Sequence, residues 1–286
     1  MRYIKAPSIG LAQERVIQFI VRDGHLQNTE DSEACIDLME PTCIHVDDPL
    51  AEPMVSPCSQ YGERFTQAYQ DALCLITPRK NDGTDATYTY GNRLRDYPQK
   101  SYQYSVVGKR TLFRRAIDSL LSRYGYVHVD VGYSEGFVGD GRGGGIDQIR
   151  TSIIDRLIES PNSRRAEAIT WVPLLDMESP EPPCLQIVWA RINHLNQLCV
   201  VVLFRSNDML SASGQNLYAI TYLQGYLLDE INKGRVKKGM DPLTRGWIEC
   251  ISCSPHIYWK RDMNDLLKFL KKLKMDFSLL SQFSKR

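Results

Sequence analysis

Nowhere does the sequence approach the roughly 18–20 consecutive apolar residues that a membrane-spanning helix requires, and its longest candidate, Leu198–Phe204, is strand-sized. A membrane association of that kind is not expected. An excess of charge of one sign is also missing: 35 Lys and Arg stand against 34 Asp and Glu, a formal net charge of +1. That balance provides no generally basic surface for a nucleic acid, although it leaves room for a local cationic pocket that holds one phosphate. The opening residues, MRYIKAPSIG, hold no apolar export signal, so a cytoplasmic location is expected. Without export, and in a chain of 286 residues that does not need covalent staples, the eight cysteines read as free thiols. Internal repeats, low-complexity tracts and linkers are absent as well, which predicts a single α+β domain over residues 1–286.

What is present alternates between two periods. Ile9, Ala12, Val16, Phe19 and Ile20 recur at helical spacing, with Gly24 placed to stop the helix. Thr42–Val46 reads as a strand, followed by a rigid loop around Glu52 punctuated by Pro49, Pro53 and Pro57. Helices are predicted over Glu63–Leu75, Leu112–Ser122, Ile146–Ile158, Asn216–Asp229 and Asp262–Phe283. Strands are predicted over Tyr126–Val131, residues 168–172, 185–192 and 197–204, and Trp247–Cys253. His194, Leu195 and Asn196 make a tight connection, so the strands on either side of them should be antiparallel neighbours. Asn81–Thr87 reads as a polar turn. The architecture expected is a mixed or antiparallel sheet packed with helices.

Several motifs carry chemistry. Gly139-x-Gly141-x-x-Gly144 matches a dinucleotide fingerprint, but no βαβ alternation surrounds it, and a glycine-rich surface loop explains it equally well. Cys250-x-x-Cys253 could be half of a zinc site, yet no second pair exists and His256 alone does not complete four ligands, so no metal is expected. Arg164-Arg165 in a polar turn and Arg205-Ser206 at a strand end both suit a phosphate, because a guanidinium offers a planar fork and serine a compact hydroxyl. Taken singly, such residues are more often surface ion pairs. Cys184 follows the rigid Pro182-Pro183 and would need a nearby cation to become a thiolate nucleophile.

In chain order, SRR (163–165), PPC (182–184), RSND (205–208), Asn216 and HIY (256–258) resemble the thymidylate synthase family, and Asp147-Gln148-Ile149 resembles the segment that precedes SRR there. Residues 146–260 carry the likeness. The opening residues and PLAEPMVSP (49–57) are similar to the archaeal branch in particular. The resemblance implies reductive methylation of dUMP at C5 to dTMP, with Cys184 adding to C6 so that C5 becomes enamine-like and can take a one-carbon unit. It implies that Asn216 reads the O4 and N3–H edge of uracil, where deoxycytidylate hydroxymethylases carry Asp. It implies that Arg205, Ser206 and the Arg164–Arg165 pair hold the 5′-phosphate, the pair reaching over from the other subunit of a homodimer. His256 and Tyr258 would hold the deoxyribose 3′-hydroxyl, Asp208 would contact the pterin, and Glu52, with Glu63 as the alternative, would organise proton transfer.

The departures from the family pattern fall on the cofactor side: Leu185 follows the nucleophile, the sequence ends in Ser-Lys-Arg, and an extra segment occupies about residues 98–145. The one-carbon donor implied is therefore either methylene-tetrahydrofolate or a methylene-tetrahydromethanopterin-type reduced pterin. Two alternatives keep the fold: a pyrimidine nucleotide 5-hydroxymethylase, in which water captures the methylene, and a nucleotide-binding regulator without catalysis.

Overall fold

The computed structural model describes residues 1–30, 32–78, 88–106 and 131–283. The turn expected at Asn81–Thr87, the helix at Leu112–Ser122 and the strand before Val131 lie outside the described residues.

The scaffold is a six-stranded mixed sheet with the order β1-β4-β11-β9-β8-β7. Its strands are β1 (Arg2–Ala6), β4 (Thr42–Val46), β7 (Glu167–Ile169), β8 (Leu185–Ile192), β9 (Gln197–Phe204) and β11 (Thr244–Ser252). The hairpin expected around residues 194–196 is there: β8 pairs antiparallel with β9, from Leu185 opposite Phe204 to Ile192 opposite Leu198. Asn196 takes the left-handed conformation in the turn, with φ 58°, which asparagine tolerates better than most residues. Along the other edge of β9 runs β11, in parallel.

Two helices cover one face of this sheet, α1 (Ile9–Asp23) and a long helix, Ser213–Lys237. Between them and the sheet lies the core: Val16, Ile17 and Ile20 from α1, Leu217, Ile220 and Leu227 from the long helix, and Ile44, Ile248, Val200 and Val188 from the strands are all buried. Each such aliphatic side chain contributes about 1.5–3 kcal/mol by leaving water. Gly24 ends α1 for a reason of space rather than backbone handedness. A Cβ there would lie 2.4 Å from the Ile20 carbonyl oxygen and 2.5 Å from Ile36 Cγ2. The opposite face of the sheet bears Tyr3, Trp189, Val201 and Trp247; Tyr3 is exposed and the other three are half-buried.

A second sheet of four short strands, β10 (Asn207–Asp208), β12 (Pro255–Tyr258), β3 (Ala34–Asp37) and β2 (His25–Asn28), stands beside the ends of β9 and β11. Helix α2 (Glu63–Cys74) packs against the long helix, and α3 (Tyr90–Arg95) follows it.

The glycine-rich segment closes the base of an antiparallel hairpin, β5 (Gln99–Val106) with β6 (Val131–Val138), inside the extra segment. Gly139, Gly141, Gly143 and Gly144 all have positive φ, a backbone requirement that selects glycine. The amides of Gly141, Gly143 and Gly145 donate to the Asp96 carboxylate at 2.9, 2.9 and 2.8 Å. The donors that a nucleotide phosphate would need are thus taken by the chain's own carboxylate. One turn away, buried Arg93 makes a bidentate pair with buried Asp176, 3.0 Å on each arm, and so ties α3 to the loop before β8.

The C-terminal helix is shorter than expected. It spans Met263–Lys272 and stops where Lys274 adopts φ 56°; the Met275 amide returns to the Leu270 carbonyl, and Asp276 then caps a 3₁₀ turn over Phe277–Gln282. The apolar residues keep helical spacing across the break, so periodicity alone could not show it. The helix expected from Ile146 is instead a π-helical turn, Ile149–Ile154, leading into Asp155–Glu159.

Candidate active site

The strand register places the central groups. Because Leu185 opposes Phe204, the residues just outside that pair, Cys184 and Arg205, meet at the sheet's end, where the Arg205 amide donates to the Cys184 carbonyl at 2.9 Å. The Arg205 guanidinium turns back over the preceding prolines and donates to the carbonyls of Pro183 at 3.1 Å and Pro182 at 2.8 Å. The rigid turn and the cation hold each other. Burial raises the Cys184 thiol above its ordinary range, and the Arg205 charge works in the opposite direction.

Cys184 and Arg205 open onto a cavity of about 470 Å³ together with Ser206, Ser254, His256 and Tyr258; Gln27, Thr29 and Cys35 of the β2–β3 hairpin, Tyr88 and Glu181 complete much of its wall. His256 and Tyr258 share one face of β12, with ring centroids 5.0 Å apart and planes at 90°. His256 Nδ1 lies 3.1 Å from the Ser254 carbonyl, which can only accept, so that nitrogen carries the proton and Nε2 is left for another partner. Among the described residues lining this cavity, Arg205 supplies the only guanidinium.

Arg164 and Arg165 are elsewhere. Both are exposed and line a separate cavity of about 700 Å³ with Arg156, Ser160, Asn162 and Ser163. Asp208 lies beside the first cavity rather than in its wall: its carboxylate accepts from the amides of Leu210 and Ser211 at 3.0 Å each, bonds the Ser211 hydroxyl, and pairs with Arg261 at 2.6 Å. Glu52 is exposed, accepts the Met54 amide at 3.0 Å, and does not line the Cys184 cavity. It follows β4, which runs antiparallel to β11 and so delivers the chain to the end of the sheet opposite Ser252 and Cys184. Glu63 opens α2, and its side chain lies outside the described ones.

Asn216 is buried, 3% exposed, and is not among the residues lining the Cys184 cavity. Its Oδ1 accepts from the Tyr69 hydroxyl at 2.7 Å, and its Nδ2 donates to Asn207 Oδ1 at 3.1 Å. Tyr69 in turn lines an adjoining hollow of about 350 Å³ with Leu73, Tyr88, Tyr90 and Glu181. Three tyrosines therefore lie near enough to Cys184 to feel its charge, and burial, the larger cause, pushes each of their hydroxyls upward. The Leu185 amide donates to the Tyr90 hydroxyl at 3.4 Å, which ties this cluster to the residue after Cys184. No sequence motif assigns Tyr69, Tyr88 or Tyr90 to the site; the 15 tyrosines of the chain are the compositional signal that points toward them.

Cys250 and Cys253 do not form a pair. Cys250 is buried in β11 with its thiol pushed up to about 12, whereas Cys253 is exposed past the strand's end. Among the described residues, no three His, Cys, Asp or Glu gather as metal ligands would, and no helix is long and apolar enough to cross a membrane.

Comparison with known proteins decides the family. The profile described as thymidylate synthase matches residues 71–234, which include Cys184, Arg205 and Asn216. A protein of Methanosarcina barkeri, provisionally named thymidylate synthase, is 36% identical over 257 residues, 90% of this chain and 89% of its own. The chain belongs to the thymidylate synthase family. Counterparts with the same provisional name in Methanococcoides burtonii and Methanocaldococcus jannaschii are 27% and 26% identical, covering 94% of this chain in each case and 95% and 96% of their own. The thymidylate synthase match also accounts for the mixed sheet with helices packed on it, the α+β architecture expected from the sequence. Thymidylate synthases use a reduced pterin as co-substrate and transfer a one-carbon unit, which places this chain among enzymes of that type.

Proposed function

We propose that the protein methylates dUMP at C5 to give dTMP, with Cys184 as the covalent nucleophile. One observation carries the reading: a single cavity brings together a half-buried thiol, the guanidinium and hydroxyl of Arg205 and Ser206, and the His256–Tyr258 pair. Those are the groups a pyrimidine nucleotide needs at C6, at its phosphate and at its sugar hydroxyl.

In this reading the Cys184 thiolate bonds to C6 and pushes the ring electrons toward C5 and O4. Asn216 reads the base edge. Arg205 has a double task, steadying the loop that carries the nucleophile and lowering the cost of the thiolate. The reduced pterin supplies the methylene carbon and then the hydride. The adjoining hollow walled by Tyr69, Tyr88 and Tyr90 suits a flat ring placed against the base, and Asp208 would meet its polar edge. Methylene-tetrahydrofolate and a tetrahydromethanopterin-type donor share that ring, and both belong in the test.

A single guanidinium is a weak clamp for a dianionic phosphate. Arg164 and Arg165, which are exposed and remote from the thiol in one chain, would complete it from a second copy. The outer face of the six-stranded sheet, with exposed Tyr3 and half-buried Trp189 and Trp247, would offer the surface for a homodimer.

The test is incubation of labelled dUMP with each methylene-pterin, followed by mass analysis of both products. A 5-methyl nucleotide formed together with a dihydropterin supports the proposal. A 5-hydroxymethyl product with the pterin still at its tetrahydro level would identify a hydroxymethylase, and tight dUMP binding with no C5 hydrogen exchange would identify a regulator.

A further inference from the structure

We propose that Arg261 is a positioning residue for the sugar of the nucleotide: its guanidinium lies over the Tyr258 ring and holds that ring where its hydroxyl meets the 3′-hydroxyl. The proposal rests on the reading of Tyr258 as one of the groups that bind the sugar.

A tyrosine ring at the end of a strand has several staggered wells, and only one of them aims the hydroxyl at a given point. Tyr258 is the last residue of β12 and lines the Cys184 cavity while staying half-buried, so core packing does not choose the well. Its neighbours must. His256 meets the ring at right angles, and the Arg261 guanidinium lies over the ring face, 3.8 Å from the centroid. That contact is attractive because the face of an aromatic ring is its negative side.

The chain brings the cation there by a turn. The Trp259 amide donates to the Ala34 carbonyl at 2.8 Å and the Asp262 amide to the Tyr258 carbonyl at 3.3 Å, which folds residue 261 back over residue 258. Carboxylates then fix the guanidinium: Asp262 accepts from it at 2.7 and 2.8 Å, Asp208 of β10 accepts at 2.6 Å, and Glu33 beside the β2–β3 turn lies 3.9 Å away. Asp208 is itself held by the amides of Leu210 and Ser211. A long, half-exposed arginine ordinarily keeps its rotamer freedom. Here two aspartates remove it, so the cation holds the ring rather than following it. Burial raises the Tyr258 phenol above its ordinary range, against the opposing Arg261 charge, and the hydroxyl therefore stays protonated and able to donate. Arg261 is not among the described residues lining the cavity, so it acts through Tyr258.

The experiment measures binding of dUMP and of 2′,3′-dideoxyuridine monophosphate by calorimetry to wild-type protein, Arg261→Met, Tyr258→Phe and the double variant. The two ligands carry the same charge and differ only in the 3′-hydroxyl, so the ratio of their dissociation constants reads that contact. Tyr258→Phe should narrow the ratio about fivefold, the loss of one neutral hydrogen bond. Arg261→Met should narrow it about threefold, and the double variant should match Tyr258→Phe, because a misplaced ring without its hydroxyl has no further contact to lose. A merely structural role for Arg261 would weaken both ligands together. An unchanged ratio in Arg261→Met beside a narrowed one in Tyr258→Phe, or a double variant narrowed beyond Tyr258→Phe, overturns the proposal and spares the reading of Tyr258. A wild type that binds neither ligand or both alike, or a ratio unchanged in Tyr258→Phe, defeats that reading, and the proposal falls with it. Should Arg261→Met not fold, Arg261→Gln can still donate to Asp208, and the same narrowed or unchanged ratio decides.

Discussion

Arg205 is bonded to the Cys184 loop three times, by its own amide to the Cys184 carbonyl at 2.9 Å and by its guanidinium to the carbonyls of Pro183 and Pro182. The cation that eases ionisation of the thiol is also the brace of the loop that carries it. Because burial outweighs that charge, the thiol sits above its ordinary range in the free protein.

Alkylation of Cys184 by iodoacetamide should therefore keep rising past pH 9, as the thiolate fraction grows, with no plateau near neutrality. Arg205→Ala should move the curve further to alkaline pH. Peptide mass mapping across a pH series reads both effects, and a plateau below pH 8 would contradict the burial argument.

The Arg93–Asp176 pair is wholly enclosed, and without Asp176 the Arg93 guanidinium keeps the Asp140 carboxylate, 3.4 Å from its Nε. Asp176→Ala should cost about 1.5–3 kcal/mol in denaturant unfolding, the range for losing hydrogen bonds to a charged group.

Asp96 satisfies three glycine amides at the base of the β5–β6 hairpin. Asp96→Ala should cost on the order of 2 kcal/mol and make residues 139–145 a preferred site of limited proteolysis, while the core melts as one unit.

If Arg164 and Arg165 act across a homodimer, a Cys184→Ala protein and an Arg164→Ala/Arg165→Ala protein, each inactive alone, should together regain about a quarter of wild-type activity once subunits exchange, since half the dimers then hold one intact site. No recovery after verified exchange would place the pair in its own chain's site or in none.

Much of this was legible in the sequence. The β8–β9 hairpin is written in two apolar runs around a short polar link, and the order of SRR, PPC, RSND, Asn216 and HIY survives any folding detail because each lies on or beside a regular element. Glu52 illustrates what was not legible. β4 ends at Val46, opposite Ile248 and away from Ser252, and Glu52 follows six residues later on an exposed loop, outside the lining of the Cys184 cavity. Strand direction is a tertiary fact that spacing does not contain. The break at Lys274 and the meeting of Tyr69 with Asn216, 147 residues apart, are of the same kind.

The central claim is a bond between Cys184 and C6 of a uracil nucleotide. A 5-fluoro-dUMP substrate isolates it, because fluorine cannot leave C5 as the proton does, and the adduct is stranded after the one-carbon unit has been attached. Intact-protein mass spectrometry with a methylene-pterin should show wild-type protein heavier by nucleotide plus pterin and Cys184→Ala protein unchanged. An adduct of the same mass on the alanine variant, or none on the wild type with any donor, would contradict the account.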